Sequence, residues 1–162
     1  MAFNLAWACD ELGDWDRARA LTEDNLRRAR ASGDRRNEGF WLDHRGTYRR
    51  EEGRADEALL LFREGLRIRL ELVDPIHITD GLSWVASALA VAGGPQAAAR
   101  LVSKSVALNE ELMGDPPLYQ QKTNQQTLEV VRKQRDEAAF AEAWEQGRAM
   151  TLDEAVDLAL GS

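Results

Sequence analysis

Small and aliphatic residues recur along the chain at a constant interval of 40 residues, counted from Gly13, Gly53 and Gly93. Spacings of three and five residues between the recurring positions place them on one face of a helix. The positions five, eight and thirteen residues after each glycine hold Ala18, Ala58, Ala98, Leu21, Leu61, Leu101, Leu26, Leu66 and Val106.

This repeat predicts helical hairpins. Each glycine can take the left-handed backbone conformation that ends a helix, so a second helix folds back against the first. A single hairpin leaves its apolar face exposed, and stacking on a neighbour buries that face. The small residues that let the two helices approach closely stand seven residues before each glycine, at Ala6, Gly46 and Ala86. The hairpins are expected at about residues 1–34, 36–73 and 75–114.

Residues 115–160 depart from the 40-residue pattern and are predicted to be capping helices, with 161–162 a remnant of cloning. Asp74 and Asp136 stand where they can cap helices, and Thr151 opens a capping box with Glu154. The helix after the two prolines is expected to turn four residues inward, namely Leu118, Thr127, Leu128 and Val131. Phe140 and Trp144 lie four residues apart and are expected to pack on each other. No segment has a strand pattern.

The residues around the first turn resemble the tetratricopeptide repeat (TPR). They are the small Ala6, the Gly13-Asp14 turn, Trp15 two residues later and Ala18 three residues after that. The third copy departs from the family by placing Gly94-Pro95 at the turn. The resemblance implies an all-α fold of TPR-like antiparallel helical hairpins, stacked in a right-handed α-α superhelix with a C-terminal helical cap.

The last 65 or so residues, and most specifically residues 140–160, resemble the C-terminal sensor region of large bacterial LuxR-type and STAND ATPase regulators. This resemblance implies a non-catalytic module that binds a protein, a peptide or a small inducer. It also implies a neighbouring ATPase or DNA-binding domain in the parent protein. A free-standing adaptor or oligomerisation scaffold without a small-molecule ligand remains the alternative. Because the first helix would begin before Met1 in the repeat frame, we expect a fragment whose N-terminal edge supports a homodimer.

Charge and composition narrow the class of partner. The formal net charge is −7, so the chain as a whole repels a polyanion, and direct binding of nucleic acid is not expected. No apolar run is long enough for a membrane span, and no secretory signal opens the chain. Cys9 is the one cysteine, which fits a reducing cytoplasm, and we expect its thiol to be buried.

Motifs for catalysis are missing from the sequence. It has no GxxxxGK[ST], HExxH, CxxC or GxSxG, so we expect neither an enzyme nor a cofactor. His44 and His77 stand too far apart in sequence to suggest a metal pair, and no metal is expected.

In tetratricopeptide arrays, a set of first-helix positions faces a concave groove. By that resemblance the candidates for a groove that holds a ligand or partner are Trp7, Asp10, Asp43, Thr47, Arg50, Ser83 and Ser87, with Phe3, Glu11, Phe40, Glu51, Asp80, Ala90 and Val91 beside them. An aromatic ring, an arginine, acids and hydroxyls suit a peptide or a small polar ligand. A solvated groove without a ligand is the other interpretation of the same residues.

Overall fold

The structure, a computed structural model, describes residues 6, 8, 9, 12–134 and 136–161. Helices joined by short connections make up this part of the chain, which contains no strand, so the all-helical fold is confirmed. None of its helices has both the length and the apolar character needed to cross a membrane. The helices that follow residue 14 are α1 (Trp15–Ser32), α2 (Arg35–Glu51), α3 (Ala55–Glu71), α4 (Pro75–Val91), α5 (Pro95–Leu112), α6 (Leu118–Gln134), α7 (Glu137–Ala149) and α8 (Leu152–Leu160).

The glycines of the 40-residue repeat stand in the turns between helices. Their φ angles are 74° at Gly13, 78° at Gly53 and 91° at Gly93, so each adopts the left-handed conformation expected for it. A side chain at such a position is strained, which explains why a glycine recurs there. The small residues of the repeat are buried as well, and those at Ala6, Ala18, Ala58, Ala86 and Ala98 have no exposed surface.

The chain forms two compact units, one that runs to Ile68 and one that begins at Arg69, so the division lies inside α3. Large apolar side chains fill unit 1, where Trp41 and Leu42 of α2 pack with Leu26 of α1 and with Ile68. Close approach depends on Gly46, because a Cβ there would lie 2.5 Å from a ring carbon of the buried Phe62. The thiol of Cys9 is buried beside Ala18 and Tyr48, as expected.

In unit 2, α5 packs against α4, α6, α7 and α8. Hydrogen bonds join Thr79 to Asn109 and Ser83 to Ser105, so the partner number falls as the residue number rises and α4 runs antiparallel to α5. Helix α7 lies close to α5 at Gly147, where a Cβ would meet the backbone of Arg100.

The expected caps are present. The side chains of Asp74, Asp136 and Thr151 accept hydrogen bonds from backbone amides, and Thr151 forms the capping box with Glu154. The rings of Phe140 and Trp144 stack with their centroids 5.9 Å apart.

One prediction for α6 is wrong, because Leu118 is 82% exposed instead of facing inward. The inward face of α6 is set by Gln120, Thr123, Thr127 and Val131, which are all buried. Leu118 lies two residues before Gln120, about 200° around the helix, and therefore faces away from that surface.

Candidate functional site

Part of the candidate groove lies outside the described residues. Trp7 and Asp10 are among the positions that the structure leaves undescribed, as are Phe3 and Glu11. The groove positions on α2 and α4 are described, and they belong to different units. Each is considered within its own unit.

On α2, the candidates Phe40, Asp43, Thr47 and Arg50 follow one another at helical spacings of three and four residues. Asp43 is buried, while the other three are partly exposed. The hydroxyl of Thr47 donates a hydrogen bond to the backbone carbonyl of Asp43, 3.0 Å away, and this bond fixes its orientation. These side chains form one continuous strip, which we call the α2 face. It is partly accessible and ends at a cationic group.

Arg50 differs from the other arginines near it. Arg49 pairs with Glu52 at 2.9 Å, and Arg45 pairs with Glu23 at 3.0 Å. The guanidinium of Arg50 forms no hydrogen bond or ion pair with any residue in the described part of the chain. Burial lowers its pKa, and the nearby charge of Glu51 opposes that change only in part. An arginine remains charged all the same, so the α2 face holds a partly desolvated cation without an ion-pair partner among the residues that the structure describes.

Aromatic rings surround the imidazole of His44 on the same helix. The centroid of Phe40 lies 4.7 Å from that of His44, and the centroid of Trp41 lies 5.5 Å away. Burial lowers the pKa of His44 from 6.5 to about 4, so the ring is neutral at pH 7. Among the described residues, no three side chains of His, Cys, Asp or Glu are grouped so that they could hold a metal ion.

The candidates on α4 are interior residues of unit 2. Ser83 is buried, with its hydroxyl 2.8 Å from that of Ser105, and it accepts a hydrogen bond from Gln120 at 3.1 Å. Ser87 is buried too and donates to the backbone carbonyl of Trp84 at 2.7 Å. Helix α6 packs on α4 and its Gln120 bonds to Ser83, whereas the hydroxyl of Ser87 is satisfied within α4. Ser83 and Ser87 are therefore closed to a ligand here.

Asp80 belongs to the same covered surface. It is buried and accepts a hydrogen bond from the hydroxyl of Tyr119, 2.9 Å away. Burial raises the pKa of Asp80, although this hydrogen bond and the charge of Arg69 work in the opposite direction. The carboxylate thus bonds to α6, as the hydroxyl of Ser83 does.

Sequence reasoning missed the polar group at the centre of unit 2. The amide nitrogen of Gln120 donates to Ser105 at 2.9 Å, and its amide oxygen accepts from Asn109 at 3.0 Å. The hydroxyl of Thr79 lies 3.2 Å from the amide oxygen of Asn109. One signal was available: Ser105 and Asn109 are polar and lie four residues apart, on the same face of the helix. Asn124 is a contrast, since it is buried and its amide atoms have no hydrogen-bond partner in the described region.

Comparison with protein-family models, with curated proteins and with solved structures finds no match for this chain. The resemblance to tetratricopeptide repeats and to bacterial regulators therefore rests on the residues that carry it. What remains for a functional argument is the geometry of the α2 face and the chemistry of Arg50.

Proposed function

We propose that this chain is a non-catalytic, TPR-like module that binds a partner or senses a ligand, and that it belongs to a bacterial transcriptional or signalling regulator. The repeat supports this proposal, since pairs of helices ended by left-handed glycines at 40-residue intervals are typical of helical arrays. Such arrays present continuous helix faces, and their usual role is binding.

The observation that carries the proposal is that the partly buried guanidinium of Arg50 has no ion-pair partner among the described residues. Burial of a guanidinium is unfavourable, and an anionic group on a ligand relieves that cost. Arginine recognises carboxylate and phosphate through two parallel hydrogen bonds. We therefore propose that the α2 face binds a peptide or small molecule through a carboxylate or phosphate group.

The neighbours of Arg50 suit the rest of such a ligand. Thr47 lies one turn before it, and the ring of Phe40 lies further along the same strip. The hydroxyl and the aromatic ring can give a hydrogen bond and an apolar contact to the part of the ligand that extends from the anionic anchor toward the start of α2. In a regulator, a ligand that binds one arrangement of the helices more tightly shifts the population toward that arrangement, which a neighbouring domain then reads.

The test is a titration with two sets of peptides of equal sequence, one with free C-terminal carboxylates and one amidated. For wild type we expect calorimetry to find peptides that bind only as the free carboxylate. Arg50→Ala is expected to weaken these at least about tenfold, the scale of a lost charged hydrogen-bond pair. The matched control is Arg49→Ala, which removes the neighbouring arginine that already has a partner in Glu52.

Thermal melting separates loss of the site from loss of the fold, because Arg50→Ala is expected to leave Tm nearly unchanged. Trp7→Ala, the other candidate from the sequence, is expected to act in the same direction. Equal binding by wild type and Arg50→Ala would remove the α2 face as the site. A single defined oligomer in sedimentation, combined with no effect of any peptide, would favour the adaptor or scaffold instead.

A further inference from the structure

Exposed apolar side chains gather at one end of unit 2. In the described part of the chain eleven large apolar residues are exposed, and seven of them lie in or beside two connections, one before α4 and one before α6. Val73 and Leu118 are the extremes in this group, with 80% and 82% of their surface exposed. We call the group the apolar end, and its members are Leu72, Val73, Ile76, Leu112, Met113, Leu118 and Tyr119.

Hydrogen bonds bring the two connections to the same place. Helix α4 begins where its antiparallel partner α5 ends, as the contact between Thr79 and Asn109 shows. The start of α6 is tied to the start of α4, because the hydroxyl of Tyr119 donates to Asp80 at 2.9 Å. Residues 72–76 and 112–119 therefore form one surface within unit 2. A concentration of exposed apolar area of this kind marks an interaction site more often than scattered single residues do.

The backbone at Val73 is a second and independent sign. Its φ angle is 50°, and it is the one residue other than glycine with a positive φ in the described region. Forty residues earlier, Gly33 holds the corresponding position with φ 69°. Both turns have the same pair of backbone hydrogen bonds. In the later copy the amide of Val73 donates to the carbonyl of Leu70, and the amide of Asp74 donates to the carbonyl of Arg69. A glycine fits this turn without strain, so an exposed, strained valine in its place points to a role for the side chain.

Charge around the apolar end indicates which kind of partner fits it. Residues 70–77 and 109–119 contain five carboxylates and neither lysine nor arginine; the carboxylates are Glu71, Asp74, Glu110, Glu111 and Asp115. Arg148 pairs with Glu110 at 2.9 Å, Asp74 lies 2.8 Å from the imidazole of His77, and Glu71 has interactions of its own, so part of this charge is offset. The remaining negative charge repels a second copy of the same surface, and it also repels anionic lipid and nucleic acid.

We propose that the apolar end is a docking surface for a basic amphipathic segment of another protein. Apolar side chains of the segment contact Val73, Met113 and Leu118, while its Lys or Arg residues face the surrounding carboxylates. This surface shares no residue with the α2 face, so either proposal can fail without the other.

The probe is a fluorescein-labelled peptide of about 18 residues with leucine on one helical face and lysine on the other. Its control has glutamate in place of every lysine. Fluorescence anisotropy gives the Kd for wild type and for Val73→Gly, Leu118→Ser and Glu111→Lys. Leu60→Ser is the matched control variant, because Leu60 is 66% exposed but belongs to unit 1.

We expect Val73→Gly and Leu118→Ser each to raise the Kd for the lysine peptide roughly tenfold. Glu111→Lys is expected to raise it by a smaller factor and to reduce its dependence on salt. Leu60→Ser should leave it within about twofold, and the glutamate peptide should bind at least about tenfold more weakly. Val73→Gly relieves the turn, so a weaker complex with an unchanged or higher Tm cannot be caused by unfolding.

Equal affinity of all the variants for the lysine peptide would overturn the proposal. Equal affinity of wild type for the lysine and glutamate peptides would overturn it as well. Sedimentation tests whether a second copy of the chain binds the apolar end instead. If wild type self-associates and Leu118→Ser abolishes this association, the apolar end is a homodimer contact and the proposal is wrong.

Discussion

Large apolar side chains fill the interior of unit 1, whereas unit 2 buries a group of hydrogen-bonded polar side chains beside its apolar ones. Trp41, Leu42 and Phe62 have at most 4% of their surface exposed in unit 1. In unit 2, Asn109 and Gln120 are equally buried and bond to each other. Both units follow the same 40-residue repeat. The repeat thus sets where helices approach closely, while the residues that fill the remaining space are free to differ.

Acid acts in opposite directions on one buried carboxylate of each unit, Glu38 in unit 1 and Asp80 in unit 2. In unit 1, burial raises the pKa of Glu38, but hydrogen bonds from Arg30 and Arg35 outweigh it and leave the pKa below its ordinary value. The stabilisation by Glu38 is therefore present above the ordinary carboxyl pKa and is lost as pH falls through the lowered one. In unit 2 the pKa of Asp80 is raised, so its ionised form is unfavourable at neutral pH, and a fall in pH relieves that cost.

His44 adds to the acid sensitivity of unit 1. Its pKa of about 4 in the folded chain lies below the ordinary 6.5, so the unfolded chain takes up the proton first. The stability that the neutral ring provides is therefore lost as pH falls from about 6.5 to about 4. We expect unit 1 to lose protection from hydrogen exchange in this range before unit 2 does.

The largest difference between the units is expected from adding one methyl group at a close helix contact. At Gly147 a Cβ would lie 2.7 Å from the Cα of Arg100, and backbone atoms of a packed helix cannot move aside. At Gly46 the obstacle is the ring of Phe62, which can rotate and shift. Urea unfolding should show a loss of about 3 kcal/mol or more for Gly147→Ala and about 1–3 kcal/mol for Gly46→Ala. A larger loss of unfolding free energy for Gly46→Ala than for Gly147→Ala would contradict the view that the backbone contact at Gly147 is the less adaptable of the two.

A swap that conserves volume tests the polar interior of unit 2. Gln120→Met keeps the size of the side chain but removes one hydrogen-bond partner each from Ser105 and Asn109, which retain their other partners. We expect it to lower the free energy of unfolding by about 2–3 kcal/mol. Leu42→Met is the matched change in the apolar interior of unit 1, and it should cost less than about 1.5 kcal/mol. Similar losses in both variants would mean that the hydrogen bonds of Gln120 contribute little.

Neutralising one buried carboxylate in each unit should have effects of opposite sign. Glu38→Gln removes the acceptor of two arginines and is expected to cost about 1 kcal/mol at pH 7, since both arginines are more than 40% exposed and screened by water. Asp80→Asn removes an unfavourable charge and keeps an oxygen for Tyr119. It should leave stability unchanged or raise it. Urea unfolding at pH 7 and near pH 4.5 is the measurement, and the loss in Glu38→Gln should shrink at the lower pH. A clear loss in Asp80→Asn at pH 7 would contradict the sign given for unit 2.

The smallest effect concerns the two corresponding turns. Val73→Gly should raise the free energy of unfolding by a few tenths of a kcal/mol, because relief of the turn is partly offset by the flexibility of glycine in the unfolded chain. Gly33→Val imposes the same strain on unit 1, where nothing within 4 Å would touch the new Cβ, and should cost about 1 kcal/mol. Changes of equal sign in thermal melts would show that the two turns are not equivalent.

The residues that the sequence predicted well are those whose role depends on the local backbone. The turn glycines and the buried alanines follow from the 40-residue interval, and the caps at Asp74, Asp136 and Thr151 follow from local capping signals. The prediction for Leu118 is wrong and the burial of Ser83 is not predicted, for one common reason. The repeat does not contain α6, and α6 covers the side of α4 that a groove would leave open. The inward face of α6 is set by the hydrogen bonds of Gln120. The spacing of apolar residues in the sequence does not indicate which face this is.

The most direct test of the proposed site needs no ligand, because it asks whether Arg50 already has a partner. Arg50→Met keeps the aliphatic stem and removes the charge, and Arg30→Met does the same where Glu38 and Glu64 hold the guanidinium. In urea unfolding at pH 7 we predict an unchanged or higher free energy of unfolding for Arg50→Met and a loss for Arg30→Met. A loss of more than about 1 kcal/mol in Arg50→Met would mean that its charge is already satisfied within the fold, and would contradict the proposal that it is held for a ligand.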